Sequence, residues 1–148
     1  MAVDYVYGED ERVTAWMAER IGINQFRDDV KTIGIERDGE LIGGTAFDTF
    51  CERECVLHIA SDGSGRWLTR DYIKLVFHYP FIQLGFVRLT SFVSVNNPRS
   101  LRLAKHFGFV EEGRARGAGK DGEDLVMLGM LRSECSYIPP LIFNPFMV

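Results

Sequence analysis

The stretch from residue 54 to residue 95 constrains the fold most, because a helix pattern lies between two strand patterns. Residues 54–60 form a short aliphatic run, and residues 86–95 have the β-branched and aromatic composition of a buried strand. Between them a helical period extends from about residue 66 to residue 84, with Pro80 expected to kink the last turn. This order predicts two parallel strands joined by a right-handed crossover.

The residues before this unit predict one helix and one hairpin. Apolar side chains of residues 10–21 recur on one helical face. Residues 31–37 and 40–50 have strand patterns separated by Asp38-Gly39, a two-residue turn signal. The pair Gly43-Gly44 inside the second strand indicates a β-bulge.

The residues after the unit predict a helix and two closing strands. Asn97-Pro98 is a strong helix start, because Asn caps well and Pro suits the first helical position. That helix should end at Gly108, and residues 109–116 and 124–132 should form strands. The whole order predicts an α/β (α+β) fold with a mixed, mostly antiparallel sheet of about six strands, flanked by helices.

Composition narrows the functional classes. The chain has 148 residues, and 17 basic against 21 acidic side chains give a net charge of −4, which disfavours nucleic acid as a partner. Three cysteines, no secretory signal and no long apolar run indicate a cytoplasmic protein without a membrane partner. We expect one domain over residues 1–134, followed by an apolar tail over residues 135–148.

Residues 97–113 resemble the signature of a known enzyme family. Asn97, Ser100 and Leu103 are followed by Gly108-Phe109 and then Glu112-Gly113. This pattern resembles the GNAT superfamily of N-acetyltransferases, in the branch that includes the ribosomal-protein-alanine acetyltransferases. Residues 124–132 resemble that branch's final strand, and residues 67–85 and 130–135 resemble phage and prophage members.

The resemblance implies that acetyl-coenzyme A (acetyl-CoA) binds between two parallel strands that splay apart. Its pyrophosphate would lie on backbone N–H groups at the start of the following helix, where donors are unpaired. The cofactor-binding positions that it implies are Ile59, Ala60, Gly65, Arg66, Trp67, Leu68, Thr69, Arg70, Asn97, Ser100, Arg102 and Lys105.

The phosphate-binding loop departs from the family's pattern. Trp67 and Thr69 stand where small residues are usual, while Gly63 and Gly65 lie upstream. Either Trp67 obstructs the pyrophosphate, or the loop shifts so that Gly65 takes over. The basic side chains nearby are either phosphate ligands or solvated helix charges, namely Arg66, Arg70, Arg99, Arg102 and Lys105.

Candidates for the acid–base chemistry are few. His58 is the first candidate for the base that neutralises the acceptor amine, the alternative being a structural histidine. Asp62 is the second candidate, the alternative being a turn residue. The family's usual proton-donating Tyr is replaced by Ala104. A backbone N–H of the splayed strand would polarise the thioester carbonyl.

Other readings of the sequence are weaker. Cys51, Cys55 and His58 have no fourth ligand at useful spacing, and His58 should point to the opposite face, so we expect no metal. A catalytically inactive GNAT-fold module, even part of a phage assembly, is the main alternative. The apolar tail would then cover a homodimer mate or a larger assembly instead of its own domain.

The resemblance implies an amine acceptor, either a protein N-terminus or a small amine. The acceptor pocket would be built from loops around residues 23–31 and 49–54.

Overall fold

A computed structural model describes residues 2–22 and 26–139. It has a seven-stranded sheet with the order β1-β2-β3-β4-β5-β7-β6. The strands are β1 (Val3–Tyr7), β2 (Lys31–Arg37), β3 (Glu40–Asp48), β4 (Glu54–Ser61), β5 (Arg88–Ser94), β6 (Val110–Ala115) and β7 (Leu125–Leu131). The helices are α1 (Asp10–Ile21), α2 (Arg70–His78) and α3 (Pro98–Phe107).

The predicted fold class is confirmed, with one strand more than expected. Every neighbouring pair is antiparallel except β4 and β5, which are parallel as the strand–helix–strand order predicted. Strand β1 was not predicted, because only Val6 among its residues is buried and its alternation is therefore weak. The other predicted strands are confirmed with ends within two residues of those observed.

The middle helix differs most from its prediction. It begins at Arg70 and not at residue 66, because Thr69 is its N-cap and accepts a hydrogen bond from the Tyr72 N–H. After His78 the chain continues as a π-helical turn, Tyr79–Gln83. Pro80 lacks an N–H for an α-helical bond, and the Leu84 N–H instead reaches the Tyr79 carbonyl at 3.0 Å.

The predicted bulge is close to, but not at, the glycine pair. Ile42 is the extra residue, because Ile35 lies opposite Gly43 while Glu36 lies opposite Leu41. The two glycines instead permit close packing. A Cβ added to Gly43 would lie 2.8 Å from the Cβ of Trp67, and one added to Gly44 would lie 3.0 Å from Met17.

Two apolar clusters cover the two faces of the sheet unequally. The larger cluster joins the sheet to α2 and α3, with Phe47, Phe77 and Leu89 at its centre. The smaller cluster joins α1 to β1, β3 and β4, through residues such as Val13 and Met17. No described helix packs on that second face beyond β4, so one face of β5, β6 and β7 is open. Within the described part of the chain, no helix is long and apolar enough to cross a membrane.

The first residues of the predicted tail pack on their own domain. Tyr137 stacks on Phe77 with ring centroids 5.4 Å apart, and Ile138 is buried. The rest of the apolar run, including Leu141, Ile142, Phe143, Phe146 and Met147, lies outside the described residues.

Candidate functional site

Strands β4 and β5 pair only at their beginnings and then separate. Their parallel ladder spans Glu54, Cys55 and Val56 of β4, opposite Arg88, Leu89 and Thr90 of β5. Both strands continue beyond this ladder, β4 to Ser61 and β5 to Ser94. The result is a gap between two parallel strands, which is the arrangement that the sequence resemblance implied.

The alternation of the ladder shows which backbone groups face this gap. The Val87 N–H donates to the Arg53 carbonyl, and the Ser91 hydroxyl donates to the Leu57 carbonyl at 3.3 Å. Odd-numbered residues of β4 therefore direct their backbone polar groups towards β5. Ile59 is the next such residue, and its N–H faces the gap beyond the last ladder pair.

The loop after β4 is organised around Asp62. Its carboxylate accepts hydrogen bonds from the Ser64 N–H at 2.9 Å and from Arg66 at 3.1 Å. Gly63 and Gly65 both have a positive φ and open space where a side chain would be. The two glycines therefore leave the outer surface of the loop accessible to a ligand.

Trp67 lies beneath the loop rather than on it. Only 4% of its surface is exposed, and its ring meets Tyr72 edge-on with centroids 6.4 Å apart. Its Cβ lies against Gly43 of β3. Of the two alternatives for this loop, the geometry therefore favours a shift that presents Gly65, with Trp67 as the anchor.

The start of α2 has unpaired backbone donors. The N–H groups of Arg70 and Asp71 have no acceptor among the described residues, while the next N–H, from Tyr72, bonds Thr69. The side chains of Arg66 and Arg70 are exposed beside them, as is Leu68. Donors, positive charge and the helix dipole therefore converge at one place that suits an anion.

Helix α3 follows β5, the second strand of the gap. Asn97 caps it as predicted, accepting from the Ser100 N–H at 3.1 Å. Lys105 pairs with Glu111 at 3.2 Å, so its charge is partly engaged. Arg102 is exposed and forms no ion pair within the described part of the chain.

His58 has a carboxylate partner that the sequence reasoning missed. Its Nε2 lies 3.0 Å from Asp48 Oδ1, and the ring of Phe26 meets it edge-on at 5.3 Å. The side chain of Asp48 is 5% exposed and that of His58 is 20% exposed. A diagonal position on the neighbouring antiparallel strand was the signal that could have found this pair.

The charge state of Asp48 determines which nitrogen of the neutral His58 ring carries the proton. Burial raises its pKa, but hydrogen bonds from His58, the Arg27 N–H and Thr49 outweigh burial, so the pKa is lowered. Asp48 is therefore an anion near neutral pH and can only accept a hydrogen bond. Nε2 of His58 must carry the proton between them, which leaves Nδ1 as the basic nitrogen of the neutral ring.

The suggestion that Asp62 acts as a base is not supported by its surroundings. Burial raises its pKa, but the bonds from Ser64 and Arg66 outweigh burial, and the pKa is lowered. Its carboxylate oxygens already accept hydrogen bonds from Ser64 and Arg66 of the same loop. Asp62 therefore acts as a turn residue that shapes the loop after β4, which was the alternative interpretation.

The cysteines and His58 do not converge. Cys55 is buried in the larger cluster, and burial raises the pKa of its thiol to about 12. Cys51 is exposed and contacts the Thr49 carbonyl, while His58 lies on the other face of the sheet. Among the described residues, no three His, Cys, Asp or Glu side chains are placed to hold a metal.

A second polar cluster lies on the same face as His58. Arg88 makes two hydrogen bonds to Glu112 and one, of 3.1 Å, to Thr90, which in turn donates to Glu54. Its guanidinium lies over Gly129, where any added Cβ would collide with it. This network joins β4, β5 and β6 across β7 just before the gap opens, and the sequence reasoning did not find it.

Comparisons with known proteins bear on the family and the fold. No family model matches the sequence. An uncharacterized N-acetyltransferase, YokL, derived from the SPbeta prophage of Bacillus subtilis strain 168, is 30% identical over 132 residues. The match covers 80% of this chain and 69% of that protein.

Solved structures of low sequence identity share the fold. Spermidine/spermine N-acetyltransferase SpeG from Vibrio cholerae, in complex with manganese ions, has a TM-score of 0.71 at 18% identity. The match covers 88% of this chain and 93% of that one. A chimera of that SpeG with hSSAT gives a TM-score of 0.71 at 17% identity, covering 90% and 98%. At this identity the likeness shows the fold alone.

Proposed function

Because this chain belongs to the GNAT superfamily of N-acetyltransferases, we propose that it transfers the acetyl group of acetyl-CoA to the amine of an acceptor. The observation that carries the proposal is the gap between β4 and β5, with the pair of His58 and Asp48 beside it. The acceptor is a protein N-terminus or a small amine. Of its proposed pocket, residues 23–25 lie outside the described residues.

The loop and the start of α2 suit the phosphates of acetyl-CoA. The unpaired N–H groups of Arg70 and Asp71 supply donors, and the exposed side chain of Arg70 supplies positive charge. The bond from Arg66 offsets the charge of Asp62, which would otherwise repel the phosphates. Asn97, Ser100, Arg102 and Lys105 of α3 would line the opposite side.

The gap itself suits the pantetheine arm and the thioester. An extended chain lying between β4 and β5 would take backbone hydrogen bonds that the two strands do not make with each other beyond Thr90. The Ile59 N–H would donate to an acceptor of that chain or to the thioester carbonyl. Ala60 is small, with its side chain on the face covered by α1.

His58 would accept the proton that an ammonium group must lose before it attacks. Nδ1 takes this proton, the nitrogen lone pair attacks the thioester carbon, and a C–N bond forms. The C–S bond then breaks, and the second proton of the attacking nitrogen passes to the thiolate. Asp48 holds the ring in the required tautomer and stabilises the imidazolium, as a carboxylate does beside a catalytic histidine.

The absence of a tyrosine acid at Ala104 is compatible with this chemistry. Ala104 packs against the larger apolar cluster and has no proton to give. A thiol has a pKa of about 8.5, so its thiolate leaves without strong protonation. The proton lost by the attacking nitrogen is enough to neutralise it.

Two measurements test the proposal together. Calorimetric titration should show acetyl-CoA binding, and a ligand at about 100 times its Kd should add about 2.7 kcal/mol to the free energy of unfolding. A thiol-release assay with a panel of amines should then show acceptor-dependent turnover. Binding without turnover for any amine, peptide N-termini included, would favour the inactive module instead.

A further inference from the structure

Phe92 of β5 is an exposed aromatic residue in the middle of a sheet strand. It is 42% exposed, although its strand was predicted to be buried. Strand β5 has one covered and one open face, and Leu89 and Val93 occupy the covered face. Phe92 therefore stands on the face that no described helix covers, where its cross-strand partner is Met127 of β7.

The register of the ladder places Phe92 directly across the gap from His58. Val56 is paired with Thr90, so continuing the same parallel register would pair His58 with Phe92. The side chains of Thr90 and Glu54 meet on one face of the sheet. His58 and Phe92 follow Glu54 and Thr90 by an even number of residues, so their side chains share that face. Phe92 and the proposed base therefore border the same opening.

The side chain paired with Phe92 is apolar. Met127 is half-buried beside it, and no aromatic ring among residues 2–22 and 26–139 packs against Phe92. Carboxylates border this part of the face: Asp48 bonds His58, Glu54 and Glu112 share Arg88, and Glu123 bonds Ser94. The direct cross-strand neighbour of Phe92, however, is apolar.

We infer that the acceptor amine carries an apolar group next to its nitrogen, and that this group lies on Phe92 and Met127. The inference rests on the proposed function and names the substrate class of the same site. Burying an apolar group against the exposed ring of Phe92 and the half-buried Met127 removes apolar surface from water and is favourable. Phe92 is thus a specificity-determining residue of the acceptor site.

The test compares matched amino-acid amides as acceptors. Leucinamide, lysinamide and glycinamide share one kind of α-amine and differ in the group beside it, and spermidine serves as a polycation. We expect kcat/KM for leucinamide to exceed that for glycinamide by about tenfold or more. Equal values for leucinamide and glycinamide, or a preference for lysinamide or spermidine, would overturn the inference.

Substitutions then assign the preference to a residue. Phe92→Ser should lower kcat/KM for leucinamide by about tenfold and leave that for glycinamide within about threefold. Phe92→Leu should retain the preference, and so should Val110→Ser, which alters an exposed apolar residue of the edge strand β6. An equal loss for all acceptors, or a loss confined to the KM for acetyl-CoA, would mean that Phe92 contacts the donor and would contradict the inference.

Failure of the inference is distinguishable from failure of the proposed function. Turnover with the wrong acceptor preference rejects only the apolar-acceptor class. If acetyl-CoA binds and no amine is acetylated, the proposed function fails, and the acceptor class fails with it.

Discussion

Two polar clusters lie on the same face of the sheet, and they differ in what their atoms leave available. In the first, His58 and Asp48 share one hydrogen bond, and the histidine keeps a second nitrogen without a partner among the described residues. In the second, Arg88 donates hydrogen bonds to Glu112 and Thr90, and Thr90 donates to Glu54. One cluster can exchange a proton, whereas the other can only hold strands together.

The two clusters also differ in their position along β4 and β5. The network around Arg88 lies where β4 and β5 are still paired, and His58 lies where they have separated. Under the proposed function, the first cluster would take part in the reaction, and the second would fix the point at which the gap opens. Substitutions in the first cluster should lower activity with little loss of stability, and substitutions in the second should lower stability with little loss of activity.

The largest expected effect is on activity, from His58→Gln. Removing the base should lower kcat by about 100- to 10,000-fold while the melting temperature stays near that of the wild type. The affinity for acetyl-CoA, measured by calorimetry, should not change. If kcat fell by less than about threefold, His58 would be a structural histidine, and the two clusters would not differ in function.

Asp48→Asn should sharpen the assignment. An amide does not enforce the tautomer with a basic Nδ1, so we expect kcat to fall about 10- to 100-fold. Asp29→Asn is the matched control, because Asp29 accepts from the Thr49 and Phe50 N–H groups and does not touch His58. An equal loss of activity in both variants would show a general effect on the loop and not a role in the pair.

Arg88→Met should show the opposite signature. It leaves the partly exposed carboxylates of Glu54 and Glu112 together without their shared cation, and we expect about 1–2 kcal/mol less stability in urea unfolding. Activity per folded molecule should remain within a few fold. A loss of kcat as large as that of His58→Gln, without a loss of stability, would place Arg88 in the reaction.

Both clusters should contribute to the loss of stability in acid. The pKa values of Asp48 and Glu112 are lowered in the folded state. Each therefore stabilises the fold above the pKa of its unfolded form, about 4, and this contribution disappears as the pH falls through the lower folded pKa. Asp48→Asn and Glu112→Gln should each flatten the decline of melting temperature below about pH 4, and a decline as steep as in the wild type would contradict this.

The last prediction concerns how Trp67 anchors the loop after β4. Gly43→Ala places a Cβ against Trp67 and should cost about 1–3 kcal/mol while weakening acetyl-CoA binding. Gly113→Ala has its nearest neighbour at 3.9 Å and is the control. Unchanged binding in the Gly43 variant would show that Trp67 does not position the loop.

The sequence predicted those parts of the fold in which local chemistry and burial agree. Asn97, Pro98 and Gly108 define the ends of α3 through capping and backbone preferences, and both ends are confirmed. The predicted start of α2 was wrong. The helix could begin after Thr69 or near Arg66, and only the packing of Trp67 decides between these two starts. The π-helical turn depends on how one missing N–H at Pro80 is accommodated.

The site was less predictable than the fold because it depends on contacts between distant residues. His58 could be proposed from its side chain, but Asp48 became its partner only through the register of β3 and β4. The exposure of Phe92 could not be read from a strand-like run, since it depends on which helices cover each face. Those are facts of tertiary structure, which a local pattern does not encode.

The central claim is that His58, oriented by Asp48, accepts the proton from an amine that attacks acetyl-CoA in the gap between β4 and β5. The most direct test is acetyl transfer followed by mass spectrometry of the acceptor, with wild type and His58→Gln at saturating acetyl-CoA. The account predicts rapid acetylation by the wild type and a loss of about 100-fold or more in the variant, with equal acetyl-CoA affinity. Equal rates for the two proteins, or no acetylated product from the wild type, would contradict it.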